Sequence, residues 1–276
     1  MARGISIHIG LNEVDPAHYW TPRCLRACEK DAGDMAEIAR LADFEERTVL
    51  LSSDAKSAAV RDALLSAAGK LESGDILLVT YAGHGSFVTD EDRQEVDRKD
   101  EIWCLFDRKM LDDELYGFWQ EFDEGVRILL ISDSCHSGTM AKRSARARVR
   151  SSSGEQFAVR SIPRPDALAI YEQHQDLYRG IRERSRDSRQ REVRASVLQL
   201  SACLDWELAI EGECNGVFTG ALRRVWDEGR FPGRDYLDFH AAIKKAVREA
   251  GAGQHPWRYT VGRLNPAFEQ QRPFTI

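Results

Sequence analysis

Two short segments of the sequence place a histidine and a cysteine among small residues. His84 lies in the segment AGHGS, and Cys135 lies in the segment DSCHSG. A thiol becomes an effective nucleophile when a nearby imidazole shifts it toward thiolate, and the imidazole can then protonate a leaving amine. Because glycine lets the backbone approach a substrate closely, the amides of Gly85 and Cys135 could also stabilise a developing oxyanion. These residue types predict cleavage of an amide bond by a Cys–His pair.

Six runs of aliphatic residues are typical of strands, and the segments between them have the spacing of helices. The runs are Ile5 to Leu11, Arg47 to Leu51, Ile76 to Tyr81, Ile102 to Phe106, Val126 to Ser132 and Ser196 to Ser201. This alternation predicts an α/β fold with a mostly parallel sheet and helices on both faces. Ligand sites in such a sheet form beyond the carboxyl ends of the strands, so His84 and Cys135 should emerge at one edge.

The bulk composition is that of a globular protein. The chain has 276 residues, of which 42% are hydrophobic and 30% charged, and its net charge of −6 does not favour nucleic acid as a partner. No apolar stretch reaches membrane-spanning length, and the apolar run at the start is too short for the core of a signal peptide. We therefore expect a cytoplasmic protein whose six cysteines are mostly reduced thiols.

Two polar segments interrupt the alternation of strands and helices. Residues 89–101 are almost wholly charged and should face solvent, whereas residues 142–194 are rich in Arg and Ser at both ends. Within the second segment, Asp166 to Tyr178 could form a helix. With no second core evident, we expect one domain over residues 1–276 that contains a long, basic, flexible insertion at 142–194. The charge of the insertion leaves electrostatic binding of nucleic acid as an alternative role.

The combination of YAGHGS, DSCHSG and the later segment SACLDWELAIEGECNGVFTGAL resembles bacterial caspase-like peptidases of the metacaspase, or orthocaspase, type. The resemblance extends from GISIHIGLN near the start to GVFTGALRRVW near the end. It implies the caspase fold, with three layers built around a six-stranded sheet. It also implies that His84 and Cys135 form the catalytic dyad of a cysteine endopeptidase.

The resemblance further implies cleavage after Arg, with Lys as a second candidate. Metacaspases hold a basic substrate side chain with acidic residues, and Asp31 and Asp133 match those positions, with Cys28 beside them. A carboxylate pair can bind a guanidinium at two of its nitrogens. Ala82 stands where many metacaspases have Ser, which implies one hydrogen bond fewer to the substrate. Trp206 lies in the segment that resembles the substrate-binding loop.

Calcium is a candidate cofactor on the same resemblance. Many metacaspases bind it through acidic loops that follow the catalytic histidine and the catalytic cysteine. Asp97, Asp100 and Glu101 offer oxygen ligands in the first of these loops. The stretch after Gly138 reads TMAKRSARAR and lacks the second contribution, so a calcium requirement is not implied.

The Arg-rich insertion is itself a candidate substrate. We expect a cut between Lys142 and Arg160, or between Arg179 and Arg194, by the enzyme or by another protease, with refolding of the loop assembling the pocket. Other substrates would be proteins with exposed Arg or Lys.

Three alternatives to this interpretation of the chain remain open. His136 could replace His84 as the base, although consecutive residues generally point apart. The chain could be an inactive caspase-like binding module, or a clan-related cysteine peptidase that cleaves after Asp or Asn.

Overall fold

The computed structural model describes residues 2–20, 24–86, 102–135, 149–150, 156–185, 191–204 and 207–276. Its main sheet has five parallel strands and an antiparallel sixth at one edge. In spatial order, numbered along the chain, these are β11 (Trp257–Gly262), β10 (Ser196–Ser201), β7 (Arg127–Asp133), β3 (Ile76–Ala82), β1 (Gly4–Gly10) and β2 (Glu46–Leu51). The α/β fold class, with a six-stranded and mostly parallel sheet, is confirmed.

Helices cover both faces of this sheet, as the sequence predicted, and two helices of one turn, α1 (Pro16–Tyr19) and α9 (Pro266–Glu269), add to the longer ones. Helices α3 (Ser57–Ala68) and α4 (Asp112–Trp119) contribute to the core on one face, and α2 (Cys28–Leu41), α7 (Val217–Trp226) and α8 (Tyr236–Glu249) to the core on the other. Side chains of β7 alternate between the two: Ile128 and Leu130 lie in the first core, Leu129 and Ile131 in the second. Burial on both faces explains why the central strands are aliphatic at nearly every position.

The outer strands differ most from the sequence prediction. The run Ile102 to Phe106 forms a strand only at β5 (Ile102–Cys104), which belongs to a separate three-stranded sheet with β4 (Gly85–Ser86) and β6 (Lys109–Met110). The true sixth strand of the main sheet, β11, was not predicted. Its residues are exposed or half-buried because it lies at the edge, so it lacks the continuous aliphatic pattern of the central strands.

None of the helices in the described ranges has the length and apolar character that spanning a membrane requires.

The middle of the basic insertion is packed against the rest of the fold. It forms α5 (Arg164–Gln173) and α6 (Gln175–Ser185), a longer helical stretch than predicted. Ala167 and Ile170 lie in the core between the sheet and helices α3 and α4. Tyr178 packs with Ile102 in a smaller apolar cluster that is separate from the two cores. The expectation of a flexible insertion is therefore wrong for these two helices. Two short strands, β8 (Val149–Arg150) and β9 (Gln156–Phe157), pair with each other upstream of them.

A buried polar contact fixes α6 in place. The Tyr178 hydroxyl lies 2.7 Å from Nε2 of His18 and accepts a hydrogen bond of 3.2 Å from the backbone amide of Lys109. Burial lowers the pKa of His18 to about 4, so its imidazole is neutral near pH 7 and can take part as a hydrogen-bond acceptor. The hydroxyl therefore connects the insertion to two separate parts of the chain.

Replacing this hydroxyl should destabilise the fold measurably. Tyr178→Phe removes a partner from two buried polar groups, and we expect a loss of about 1–3 kcal/mol in the free energy of unfolding. Urea denaturation of both proteins measures it. The matched control is Tyr116→Phe, because the half-buried Tyr116 hydroxyl has no hydrogen bond to any residue that the structure describes. Equal midpoints for the two variants would show that the Tyr178 contact does not hold the helix.

Candidate active site

The tips of two neighbouring strands bring the predicted histidine and cysteine segments together. Ala82 at the end of β3 pairs with Asp133 at the end of β7, and His84 and Cys135 each lie two residues beyond that pair. A Cβ atom on Gly85 would lie 1.8 Å from the carbonyl oxygen of Cys135, far inside van der Waals contact. Glycine at position 85 is therefore needed for the two segments to approach this closely.

Both backbone amides at these tips bind one carbonyl oxygen. The oxygen belongs to Arg160, and it accepts hydrogen bonds of 3.0 Å from the Gly85 amide and 3.2 Å from the Cys135 amide. Two donors that converge on one carbonyl oxygen polarise it and would bind it more strongly once it carries negative charge. These are the two amides that the sequence predicted for that role.

The Arg160 side chain lies between the two predicted pocket carboxylates. Its Nη2 is 2.5 Å from Oδ2 of Asp31, and its Nη1 is 3.0 Å from Oδ2 of Asp133. The arginine side chain is 0% exposed and both carboxylates are 1% exposed. Each carboxylate therefore binds a different nitrogen of one guanidinium in a site without bulk water.

Residues at the start of α7 support the two carboxylates. Asp31 accepts hydrogen bonds from the side chain of Asn215, at 2.8 Å, and from the amide of Gly216. Asp133 accepts from both the amide and the hydroxyl of Thr219, at 3.0 and 2.7 Å. Sequence reasoning did not assign these supporting residues. The segment ECNGVFTG that contains them was recognised only as part of a family motif.

Gly216 also provides the space that the guanidinium fills. A Cβ atom at this position would lie 2.2 Å from Oδ2 of Asp133 and 2.5 Å from Nη1 of Arg160. Any larger residue would therefore collide with both the carboxylate and the bound cation.

The electrostatics of the pocket favour a bound cation. Burial raises the pKa of Asp31 to about 6, and the negative charge of Asp133 adds to the rise, whereas Arg160 opposes it. Burial alone would lower the pKa of Arg160, but Asp133, Cys28 and Asp31 together raise it well above its ordinary value. Arg160 is therefore protonated, and removing it would leave two carboxylates close together in a dry site.

The residues before Arg160 pair with the segment that follows β10. The Arg160 amide donates to the carbonyl oxygen of Ala209 at 3.1 Å, and the Glu211 amide donates to the carbonyl oxygen of Ala158 at 2.9 Å. Val159 and Ile210 form an antiparallel bridge between these two contacts. Residues 158–160 thus lie as an added strand along residues 209–211, a common way for a protein to bind an extended peptide.

The thiol of Cys135 lies against the same neighbouring segment. Its sulfur accepts a hydrogen bond of 2.8 Å from the Ala209 amide. A hydrogen bond to Cys135 and burial together raise the pKa of the Cys203 thiol. Ala209 therefore contacts both the sulfur and, through its carbonyl, the amide of Arg160. Cys135 and the Arg160 peptide unit share one neighbour.

The backbone around His84 is fixed by buried contacts. Its carbonyl oxygen accepts hydrogen bonds from the Tyr81 hydroxyl at 2.7 Å and from the Cys104 amide at 3.0 Å. The Tyr81 ring stacks on Trp103, with ring centroids 4.7 Å apart. His84 itself is 6% exposed and Cys135 is 0% exposed, and residues 158–162 lie over this edge of the sheet.

The other predicted site residues divide into two groups. Cys28 and Ala82 lie beside the carboxylates in a small apolar cluster with Leu25 and Ala158, and burial raises the pKa of the Cys28 thiol. The remaining predicted residues lie outside the described part of the chain, and they are Asp97, Asp100, Glu101, His136 and Trp206. Among the residues that the structure does describe, no group of His, Cys, Asp and Glu is arranged to hold a metal ion.

Solved structures resemble the whole of this fold. Protein GSU0716 from Geobacter sulfurreducens superposes with a TM-score of 0.85 and 40% sequence identity, covering 99% of this chain and 98% of that one. Caspase-1 from Spodoptera frugiperda superposes with a TM-score of 0.55 over 94% of this chain and 86% of that one. At 14% identity, the second likeness shows the fold alone.

The sequence is also similar to those of metacaspases. Metacaspase-4 from Arabidopsis thaliana is 34% identical over 124 residues, which are 41% of this chain and 30% of that protein. Metacaspase-1 from Pyricularia oryzae is 35% identical over 132 residues, 42% of this chain and 33% of that protein. The matched residues thus span about a third of these relatives' length. The family model of the caspase domain, peptidase family C14, matches residues 8–267. The chain therefore belongs to the caspase-domain family.

Proposed function

We propose that the chain is a cysteine endopeptidase that cleaves after arginine, with Cys135 as nucleophile and His84 as proton-transfer partner. One observation carries the proposal, namely the way in which Arg160 is bound. Its side chain lies between Asp31 and Asp133, and its carbonyl oxygen lies between two backbone amides at the strand tips. A substrate arginine would need both contacts at once. Arg160 satisfies them from within the chain.

The proposed reaction follows from this placement. The Cys135 thiolate attacks the carbonyl carbon of the arginine, and the amides of Gly85 and Cys135 bind the oxyanion that forms. The carbon–nitrogen bond breaks as the His84 imidazolium donates its proton to the leaving amine. Water then hydrolyses the thioester, with His84 accepting a proton. This step releases the carboxylic acid, which ionises, and regenerates the Cys135 thiolate and the His84 imidazolium with which the cycle began.

The pocket favours arginine over lysine on geometric grounds. Asp31 and Asp133 bind two different nitrogens of the guanidinium. A lysine ammonium is a single nitrogen at the end of its chain, so it cannot reproduce this division between two carboxylates. We therefore expect lysine to be accepted more weakly. The same two carboxylates would repel an acidic side chain, which argues against a specificity for Asp.

The bond after Arg160 is the proposed site of self-cleavage. Arg160 ends the first of the two ranges in which the sequence predicted a cut, and residues 158–162 cross the candidate active site in extended form. Cleavage at this bond needs two amide donors on the Arg160 carbonyl oxygen, whereas an inactive binding module does not need this arrangement. We infer that the chain binds its own Arg160–Ser161 bond as a substrate.

Self-cleavage at this bond has a direct test. On incubation, the wild-type protein should yield two fragments, residues 1–160 and 161–276, whereas Cys135→Ala should stay intact because it lacks the nucleophile. Arg160→Gln should lose this cut, since a neutral amide cannot replace the cation between two carboxylates. Intact-mass spectrometry identifies the products to the residue.

The matched control is Arg179→Gln, in the second predicted range. Arg179 is exposed on α6 and pairs only with Asp176 among the described residues, so this variant should be cut after Arg160 as the wild type is. Fragments that begin at Ser161 in the Cys135→Ala preparation would point to a contaminating protease. An active wild-type enzyme that remains one chain would contradict self-cleavage.

The two carboxylates should set the preference for arginine in peptide substrates. Asp133→Asn and Asp31→Asn each remove one charged hydrogen bond to the guanidinium, a loss of about 1.5–3 kcal/mol, so the preference for Arg over Gln should fall by about tenfold or more. The measurement is the ratio of kcat/KM for two fluorogenic peptides that differ only at that residue.

A ratio is used because it does not depend on the fraction of active enzyme. Asp62→Asn serves as the control, because Asp62 is an exposed carboxylate that pairs with Arg61 on α3, and α3 packs on the face of the sheet opposite α2 and α7. Thermal unfolding of each variant verifies that it is folded. An unchanged Arg preference in both pocket variants would place the specificity pocket elsewhere.

A further inference from the structure

Gly85 contacts the bound segment on both sides of the Arg160–Ser161 bond. Its amide donates to the carbonyl oxygen of Arg160, at 3.0 Å, and its carbonyl oxygen accepts from the amide of Ile162, at 3.1 Å. Ser161 and Gly85 form a parallel bridge between these contacts. The backbone is therefore held for two residues beyond the proposed cut, by the same residue that supplies half of the oxyanion site.

The side chain that follows these contacts is fully buried. Ile162 is 0% exposed and lies in the core cluster that contains Tyr81 and Trp103, the aromatic pair that supports the His84 backbone. Ser161, between the cut and Ile162, is only half-buried. The second residue after the cut, and not the first, therefore enters an apolar environment.

Burial of this kind discriminates between side chains. Burial of an isoleucine side chain contributes about 1.5–3 kcal/mol of favourable free energy relative to an exposed one. A carboxylate in the same place would lose its hydration without gaining a partner. Because the parallel bridge at Ser161 and the Ile162 hydrogen bond to Gly85 fix the segment as a strand, the side chain at this position points away from that of Ser161 and into the core. The arrangement therefore has the properties of a specificity subsite.

We propose that the enzyme selects a branched aliphatic residue at the second position after the cut, using the pocket that Ile162 fills and the carbonyl of Gly85. This inference rests on the proposed peptidase function. The preferred substrate class is then an extended peptide with arginine before the cut and isoleucine, valine or leucine two residues after it. The proposal requires that residues 158–162, including the buried Ile162 side chain, leave the site after the Arg160–Ser161 bond has been cut, so that a substrate from another molecule can take their place.

The test uses the wild-type full-length enzyme after self-cleavage and four quenched fluorescent peptides. Three contain Ala-Val-Arg-Ser followed by isoleucine, valine or aspartate, and the fourth carries N-methyl isoleucine at that position, which removes the donor to Gly85. We expect isoleucine and valine to exceed aspartate by at least about tenfold in kcat/KM. N-methylation should lower kcat/KM by about tenfold, because the Gly85 carbonyl is left without its hydrogen bond.

A coumarin amide of Ala-Val-Arg separates this inference from the function on which it rests. That substrate ends at the cut, so it reports on Cys135, His84 and the carboxylate pair without using the Ile162 pocket. Equal rates for all four peptides, with the coumarin substrate turned over, would overturn the subsite and leave the peptidase standing. Absence of turnover for every substrate, the coumarin amide included, would overturn the peptidase function and this inference with it.

Discussion

The ion pairs between Arg160 and its two buried carboxylates are the constraint on which the rest of the site depends. A cation without exposure to water persists only where opposite charge and hydrogen bonds replace its hydration, and removal of one partner of such a pair costs about 3–5 kcal/mol. Asp31 lies in the first turn of α2, and Asp133 ends β7. The pocket therefore forms only when the helix, the central strand and the start of α7 meet in register.

The carbonyl oxygen of Arg160 forms the second contact of the site, because it accepts hydrogen bonds from the amides of Gly85 and Cys135. Its two amide donors come from the segments after β3 and β7, which are adjacent in the middle of the sheet. The low exposure of His84 and Cys135 would argue against a peptidase if a permanent part of the core covered them. The covering segment, residues 158–162, is an extended strand with backbone hydrogen bonds to residues 85, 135 and 209–211, and its Arg160 and Ile162 side chains are buried. On the proposed function, the covering segment is the enzyme's own substrate, and cleavage after Arg160 is the step that would uncover the two side chains.

Much of this architecture follows from sequence patterns with a simple physical origin. The central strands were predictable because burial on both faces demands aliphatic residues, and the approach of the segments AGHGS and DSCHSG at adjacent strand tips followed from the rule that sites lie beyond strand ends. Asp31 and Asp133 came from family resemblance, and the structure places both against one guanidinium. Edge strand β11 escaped prediction because an exposed edge imposes no continuous apolar pattern.

The role of Arg160 could not be read from the sequence. It is one of many arginines in a segment rich in them, and local sequence does not state which one is buried. Its selection depends on long-range contacts with α2, β7 and residues 209–211. Asn215, Gly216 and Thr219 were missed for the same reason, since their hydrogen bonds are to carboxylates more than 80 residues away in sequence.

The binding of Arg160 by the two carboxylates can be tested with a crystal structure of the full-length Cys135→Ala protein, because this variant cannot cut the segment that it binds. We expect density for the Arg160 guanidinium between Asp31 and Asp133, with the Arg160 carbonyl oxygen within hydrogen-bonding distance of the amides of residues 85 and 135. Density that shows the carboxylate pair occupied by water, with Arg160 elsewhere, would contradict it.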